Sequence, residues 1–192
     1  MTSDVYSLNI QYAQASIHET EASRRIAEAA RVKEHITVQL PFYKEIQDLY
    51  HPDPSAKVSS AYVPARNLVF YSIATAYAEA IQADTIVFGS NLDDVAVLPD
   101  ATPEFILRMN ELLRMGTRMG VEGRTTEILN PFINLDKQSV LRLSVKLEVP
   151  LELTWSCYQD AFEPCGKCRG CQTRREAFAE LGIQDPVRNS TV

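Results

Sequence analysis

The segment TWSCYQDAFEPCGKCRGC, from Thr154 to Cys171, contains all four cysteines of this 192-residue sequence. They are Cys157, Cys165, Cys168 and Cys171. Two successive Cys-x-x-Cys steps follow the first cysteine, and such steps bring thiolates close enough to share one tetrahedral ion. Four thiolates leave no open coordination position, so the spacing predicts a structural zinc site rather than a catalytic one.

Glycines and basic residues accompany the cysteines. Gly166 and Gly170 lie inside the two short steps, where backbone amides turn toward sulfur and positive φ angles are often required. Four thiolates around one zinc ion carry a net charge of about −2, which nearby cations would offset in part. These cations are Lys167, Arg169, Arg174 and Arg175. The alternative interpretation, a redox Cys-x-x-Cys pair or unligated buried thiols, fits an even count of four cysteines less well.

The composition places limits on the remaining chain. A hydrophobic fraction of 45% suits one compact domain, or one domain with a small appendage. Lys and Arg total 19 against 25 Asp and Glu, and the formal net charge is −6, which predicts no direct nucleic-acid binding and no membrane association. The start of the sequence lacks the features of a signal peptide, and the clustered cysteines favour a metal site in a reducing compartment. These features predict a cytoplasmic protein.

The hydrophobic pattern alternates between strands and helices. Short β-branched runs predict strands at residues 5–10, 35–40, 84–88 and 127–129, and helical spacing predicts helices at residues 19–32, 67–81, 103–119 and 171–181. Asp136 is expected to cap a further helix that Pro150 stops. Alternating strands and helices predict an α/β fold with a parallel sheet covered on both faces. We assign residues 1–150 to this α/β domain and residues 151–192 to the zinc-binding segment.

Several further motifs occur in a fixed order along the chain. They are YVPARN from Tyr62, GSNLDD from Gly89, the Pro99-Asp100 pair, PEF from Pro103, GVEGR from Gly120, LDKQSVL around Lys137 and GIQDP from Gly182. Together with the cysteine segment, these motifs resemble the 7-cyano-7-deazaguanine synthases of queuosine biosynthesis. The resemblance extends from about Tyr6 to Pro186.

The resemblance implies a fold of the adenine-nucleotide α-hydrolase type with a carboxyl-terminal zinc segment. It implies a ligase that converts 7-carboxy-7-deazaguanine and ammonia to the nitrile at the expense of ATP. Adenylylation makes the carboxylate electrophilic toward ammonia, and a second activation dehydrates the resulting amide. Both steps need positioned charge around phosphate and acyl oxygens. The implied cofactors are zinc and ATP, and the implied partner is a small deazapurine.

The sequence departs from the family pattern in three places. Family members open with a strand and a Ser-Gly-Gly-x-Asp-Ser loop, which wraps the pyrophosphate of ATP. The printed sequence has no such loop, and its first strand resembles the second strand of the family. We therefore expect a start that is truncated relative to the family and weak or absent ATP binding. Elsewhere, Leu98, Ala101 and Thr102 replace an aromatic residue and a Cys-Arg pair, and Tyr12-Ala13-Gln14-Ala15-Ser16 replaces Tyr-Gly-Gln-Arg-His.

Five residues in the matching motifs are candidate substrate-binding groups. They are Arg66, Asn67, Asp94, Asp100 and Lys137. Asp94 and Asp100 follow the end of a predicted strand, where open parallel sheets bind ligands, although both could serve only as turn residues. Arg66 could be a solvated charge and Asn67 a helix cap. Lys137 lies in the first turn of a helix, which is unfavourable for a cation unless an anion is close.

Other functions and assemblies fit parts of this pattern. One alternative is a non-catalytic, zinc-stabilised paralogue or subunit of the family. Another is a sulfur-transfer enzyme acting on tRNA with cysteine carriers, which the acidic charge and the four-cysteine count disfavour. If the family's central first strand is missing, its two neighbouring strands lose hydrogen-bond partners. We therefore expect a homo-oligomer or a partner that donates a strand.

Overall fold

The computed structural model describes residues 4–12, 16–51 and 62–187. Ala13, Gln14 and Ala15 lie outside the described residues, as do residues 52–61, which include most of the polar, proline-containing segment HPDPSAKVSS that separates the strand predicted at 35–40 from the helix predicted at 67–81. The α-helices and strands within these ranges are β1 (Tyr6–Gln11), α1 (His18–Ala29), β2 (Glu34–Gln39), α2 (Tyr43–Leu49), α3 (Arg66–Ile81), β3 (Thr85–Val87), α4 (Leu92–Val95), α5 (Pro103–Gly116), α6 (Arg118–Val121), β4 (Glu127–Leu129), α7 (Lys137–Lys146) and α8 (Arg169–Glu180).

The chain forms two compact units. One consists of Met1–Glu45 and Leu141–Val192, and the other of Ile46–Val140. The domain boundary that the sequence places at residue 150 stays a prediction. None of the helices described is long and apolar enough to cross a membrane.

The first unit opens with a βαβ arrangement. Strands β1 and β2 are parallel and pair along their whole length, from Tyr6 opposite Glu34 to Gln11 opposite Gln39. Helix α1 makes the crossover between them, because parallel strands cannot be joined by a tight turn. The fold class expected from the alternating pattern is confirmed here, and the predicted bounds of both strands differ by only one residue from the observed ones.

Helix α8 completes the first unit. Ala177 and Phe178 of this helix are buried against Leu141 of α7. Gly182 follows the helix with a φ of +67°, and the amide of Ile183 donates to the carbonyl of Phe178 at 3.2 Å. This glycine-terminated end is the one that the sequence predicts, because a left-handed residue lets the backbone turn back over the last helical carbonyls.

In the second unit, strands β3 and β4 are parallel, and one face of the pair is covered. Ile86 and Ile128 point into a core supplied mainly by α3 and α5, whose buried members are Tyr71, Ala78, Ile106, Met109 and Leu113. Their neighbours Val87 and Leu129 point to the opposite face and are 63% and 42% exposed. The prediction of a sheet covered on both faces is therefore wrong for this pair of strands.

The two edges of the β3–β4 pair differ. On the outer edge of β4, the side chain of Asn110 donates to the carbonyl of Ile128 at 3.1 Å and accepts from its amide at 2.8 Å. The asparagine side chain thus occupies the hydrogen-bonding groups that a further strand would need. Across the residues that the structure describes, β3 pairs with β4 alone, so its other edge has no strand partner.

Two predicted segments have a different local structure. The helix expected over residues 103–119 is divided at Thr117, which has extended backbone and accepts a hydrogen bond from the amide of Gly120. A threonine side chain that caps a new helix competes with continuation of the old one, so α5 ends at Gly116 and α6 begins. Residues 90–102 lie between the strand predicted at 84–88 and the helix predicted at 103–119, and the hydrophobic pattern assigns them to neither, which predicts a long loop. They contain α4 and a 3-10 turn at Pro99–Ala101.

Candidate functional site

The four cysteine sulfurs of the first unit converge on one point. Every pair of Sγ atoms lies within 4.8 Å, and two pairs, Cys165 with Cys171 and Cys157 with Cys168, are separated by 4.0 Å. A tetrahedral ion with metal–sulfur bonds of about 2.3 Å separates its thiolates by about 3.8 Å. The four sulfurs are therefore arranged to hold a metal ion, with Cys157 and Cys171 buried and the other two partly exposed.

Backbone amides surround the sulfurs. The Sγ of Cys157 accepts from the amides of Gln159 and Cys165 at 3.4 and 3.3 Å, and the Sγ of Cys165 accepts from the amide of Cys168 at 3.3 Å. Amide donors stabilise the thiolate over the thiol. Those of Lys167 and Cys168 lower the pKa of Cys165 to about 6, whereas burial raises the pKa of Cys171 to about 12.

The two glycines of the cysteine segment serve different purposes. Gly166 has a φ of +68°, as the sequence predicts for a turn toward sulfur. Gly170 is required by space instead, because a Cβ at this position would lie 2.0 Å from the carbonyl oxygen of Ser156. The first turn of α8 thus lies against the backbone of Ser156, next to Cys157, and only a residue without a side chain permits that approach.

Aromatic contacts link the cysteine segment, Thr154 to Cys171, to helix α1. The indole nitrogen of Trp155 donates to the carbonyl of Cys157 at 2.9 Å, and its ring packs on the ring of His18 with centroids 4.6 Å apart. His18 is the first residue of α1, and its Nε2 lies 4.0 Å from an oxygen of Asp160. The cysteine loop therefore contacts the helix that connects the two strands of the same unit.

Arg174 has a role that the sequence does not reveal. It was expected to offset the charge of the thiolates, but its guanidinium donates twice to Asp185, at 2.6 and 2.7 Å. It also donates to the hydroxyl of Thr154 at 2.7 Å and packs over the ring of Phe178. Arg174 therefore joins α8 to Thr154, at the start of the cysteine segment, and to Asp185, after the end of α8. Asp185 neutralises its charge.

Three of the five predicted substrate-binding residues meet in the second unit. Asp100 is buried, and its carboxylate accepts from the backbone amide of Asn67 at 3.1 Å and from its side-chain amide at 3.2 Å. The Nε of Arg66 donates to the side-chain oxygen of Asn67 at 3.3 Å and its guanidinium lies over the Phe70 ring. A carboxylate that accepts from a backbone amide in the first turn of α3 stabilises the start of that helix, so Asp100 has a structural role whether or not it also binds substrate.

The other two predicted residues lie on neighbouring helices. Asp94 accepts from the amide of Asn91 at 3.0 Å, while Asn91 accepts from the amide of Asp94, which forms a capping box for α4. Lys137 is the first residue of α7, after the capping residue Asp136. The amide of Leu92 donates to the carbonyl of Leu135 at 2.9 Å, which holds the start of α4 close to the start of α7.

The hydroxyl of Tyr71 is a further polar group in this region, and the sequence does not indicate it. Tyr71 is only 1% exposed, and its hydroxyl has no hydrogen-bond partner among the described residues. Burial and the charge of Asp100 raise the pKa of Tyr71 to about 12. The Ser90 hydroxyl, which lies near the phenol oxygen without regular hydrogen-bond geometry, offsets part of this rise as a donor. In the sequence Tyr71 stands within an apolar helical run and looks like an ordinary core residue, because nothing in the run shows where its hydroxyl points.

Comparisons with known proteins identify the family of this chain. The family model described as "Queuosine biosynthesis protein QueC" matches residues 1–182. The chain belongs to this family. The resemblance to 7-cyano-7-deazaguanine synthases inferred from the sequence motifs is thereby confirmed.

Curated members of the QueC family match nearly the whole chain. The 7-cyano-7-deazaguanine synthase of Thermosynechococcus vestitus is 38% identical over 95% of this chain and 83% of its own length. Those of Acaryochloris marina and Acetivibrio thermocellus are 38% and 34% identical, over 98% and 96% of this chain and 89% and 86% of their own lengths.

One solved structure also aligns with the chain. It is the U34-tRNA thiolase NcsA from Methanococcus maripaludis with its 4Fe-4S cluster, with 16% identity and a TM-score of 0.47 over 95% of this chain and 56% of that one. A likeness of this degree does not bear on function.

The close approach of Gly170 to Ser156 generates a first prediction. Replacing Gly170 with alanine should lower metal affinity by about 10- to 100-fold, the range seen when groups that orient ligands are disturbed. The added methyl group would displace the first turn of α8, which carries Cys171. Competition with a chromogenic chelator would measure this loss. Gly116→Ala is the matched control because nothing lies within 4 Å of its Cβ position, and equal metal affinity in both variants would contradict the prediction.

A second prediction concerns Arg174. Arg174→Ala should lower the free energy of unfolding by about 2 kcal/mol, because it leaves Asp185 without its partner at a site where both side chains are at most 20% exposed. Thermal unfolding should show a fall of about 6 °C in the midpoint. The neighbouring Arg175 is exposed, so Arg175→Ala should leave the midpoint nearly unchanged. A fall of the same size in both variants would mean that Arg174 contributes only a general charge effect.

Proposed function

We propose that this chain acts in the reaction that its relatives are named for, the formation of 7-cyano-7-deazaguanine in queuosine biosynthesis. The reaction joins 7-carboxy-7-deazaguanine and ammonia with consumption of ATP. The family match over residues 1–182 is the observation that carries the proposal. A cytoplasmic location agrees with the reduced state that four metal-binding cysteines require.

We propose zinc as the ion of the cysteine site. A single zinc ion suits sulfurs that lie within 4.8 Å of one another. A four-iron cluster would attach each thiolate to a different iron and would separate the sulfurs further. With four protein ligands the zinc would have no position for substrate, so its contribution is to hold the cysteine segment together.

We propose that the five predicted residues bind the substrates. They lie near the carboxyl end of β3, in the first turns of α3 and α7, and in α4 and the turn that follows it. Arg66 and Lys137 supply positive charge for carboxylate and phosphate oxygens, and the position of Lys137 at the start of α7 is favourable once an anion is bound there. Asn67, Asp94 and Asp100 supply the polar groups near the carboxyl end of β3, where parallel sheets bind ligands.

We propose that an added strand, from a second copy or from a partner, completes the sheet beside β3. The outer edge of β4 is occupied by Asn110, whereas the described residues contribute no second neighbour for β3. The exposed side chains of Val87 and Leu129 would also be covered by whatever accompanies that strand. In the family pattern the central first strand leads into the phosphate-binding loop, so a partner that carries this strand and loop would also supply the ATP site, whereas a second copy of the printed sequence would supply only a strand.

The zinc assignment gives a third prediction. Purified protein should contain about one zinc per chain, because four thiolates at these separations complete one tetrahedral ion. Elemental analysis of protein purified without added metal would measure this. A Cys168→Ser variant should lose the ion and loosen the region from Trp155 to Leu181 in hydrogen exchange. A folded wild-type protein that contains iron and sulfide, or no metal, would exclude the zinc assignment.

The proposed reaction gives a fourth prediction. A bacterial strain that lacks its own synthase would receive either this chain or a fusion that adds the amino-terminal strand, loop and helix of the Thermosynechococcus vestitus relative. The fusion should restore queuosine in tRNA, whereas the chain alone should bind ATP weakly or not at all in calorimetry, because the printed sequence lacks the phosphate-binding loop.

The outcomes of this experiment separate the parts of the proposal. Failure of a folded fusion to restore queuosine would overturn the synthase function. Micromolar ATP binding and activity by the chain as a monomer would leave the function in place and overturn the added strand. An Asp100→Asn version of the fusion serves as a site control and should reduce activity without loss of zinc, because Asp100 belongs to the other compact unit.

A further inference from the structure

The buried hydroxyl of Tyr71 has no structural explanation within the described protein. The phenol ring is held by Phe88 and Phe105, with centroids 3.8 and 5.6 Å away, so its orientation is fixed by packing. Its oxygen is fully buried, and none of the described residues forms a hydrogen bond of regular geometry with it. The nearby Ser90 hydroxyl lowers its pKa as a donor would, which still leaves the O–H of Tyr71 without an acceptor. Leaving such a group unpaired destabilises a fold, and phenylalanine would fill the same space without that cost. The hydroxyl therefore calls for a partner from outside the chain.

The position of this hydroxyl indicates where that partner would bind. Tyr71 lies one helical turn after Asn67 on α3, close enough to Asp100 and Ser90 for both to influence its pKa. Ser90 follows the end of β3, and both Ser90 and Asn67 are partly exposed. A molecule could thus approach from the Ser90 and Asn67 side of this cluster, at the end of a parallel strand where ligands commonly bind.

The charge of the cluster limits what that molecule can be. Asp100 is 7% exposed, and no lysine, arginine or histidine in the described ranges forms an ion pair with it. Its two oxygens accept one hydrogen bond each from Asn67, which leaves lone pairs for two more donors. A carboxylate so placed repels phosphate and attracts neighbouring N–H groups. A neutral tyrosine beside it can donate to a carbonyl oxygen.

We propose that Asp100 and Tyr71 together recognise the aminopyrimidinone edge of the deazapurine, with Asp100 accepting from the ring N–H and the 2-amino group and Tyr71 donating to the adjacent carbonyl oxygen. This inference rests on the proposed function, since it names the part of that substrate which this cluster binds. A guanine-type edge carries two donors beside one acceptor, and the two oxygens of Asp100 and the O–H of Tyr71 would complement them in that order. Tyr71 is then a specificity-determining residue.

The test is equilibrium binding of 7-deazaguanine to the zinc-loaded full chain, without ATP, combined with thermal unfolding. Tyr71→Phe should weaken binding about tenfold, because one hydrogen bond to the ligand is lost. Its unfolding midpoint should stay the same or rise, because the unpaired hydroxyl is gone. Tyr77→Phe makes the same chemical change on the same helix, at a partly exposed tyrosine, and should alter neither measurement. The wild-type chain should also discriminate at least tenfold against the analogue that lacks the 2-amino group.

Several outcomes would overturn the inference. Unchanged affinity in Tyr71→Phe would remove the hydroxyl from the binding site, and a large fall in its unfolding midpoint would mean that the hydroxyl is paired within the protein. Equal binding of the analogue without the 2-amino group would exclude Asp100 as the acceptor for that group. In each of these cases restoration of queuosine by the fusion would still support the proposed function. Failure of the wild-type chain to bind any deazapurine would overturn the inference, and failure of the fusion as well would overturn both.

Discussion

The convergence of four cysteine sulfurs is the constraint on which the first compact unit depends. Among the described residues, the buried hydrophobic cluster around α8 consists of Leu141, Ala177 and Phe178, with Leu151 and Leu181 packed against it, which is small for a unit that must hold a two-stranded sheet and several helices. A bound ion would compensate, because metal binding and folding share the same free energy when the ligands are brought together only in the folded state. The close contact at Gly170 and the ring of Trp155 on His18 extend this constraint to α8 and α1.

The second unit depends on a different interaction, the acceptance of two Asn67 donors by the buried carboxylate of Asp100. This contact joins the start of α3 to the turn that follows α4, and it sets the position of Tyr71 one turn later. The same residues thus stabilise a helix terminus and form a polar cluster beside β3. A residue can have both roles, since a carboxylate that accepts two hydrogen bonds still has lone pairs for a ligand.

The two edges of the β3–β4 pair differ in their hydrogen bonding, and this difference bears on the proposed assembly. A single asparagine side chain blocks one edge with two hydrogen bonds, while the other edge stands next to the exposed Val87. Natural sheets usually protect both edges from pairing with other chains. Protection of one edge alone directs any added strand to the β3 side, which is where the family pattern places its central strand and the loop that binds phosphate.

The sequence by itself determined the order of the four strands and the five longest helices, the parallel α/β class, the family and the four cysteines that cluster, whereas the short helices α2, α4 and α6 were not predicted. These features depend on local pattern and on spacing along the chain, as with the helix end at Gly182 and the successive Cys-x-x-Cys steps. Tertiary structure alone decided that Gly170 is needed for space, that Arg174 pairs with Asp185 and that the Tyr71 hydroxyl is unpaired beside Asp100. Each of these depends on contact between segments distant in sequence, and no periodic pattern encodes the direction of a single side chain.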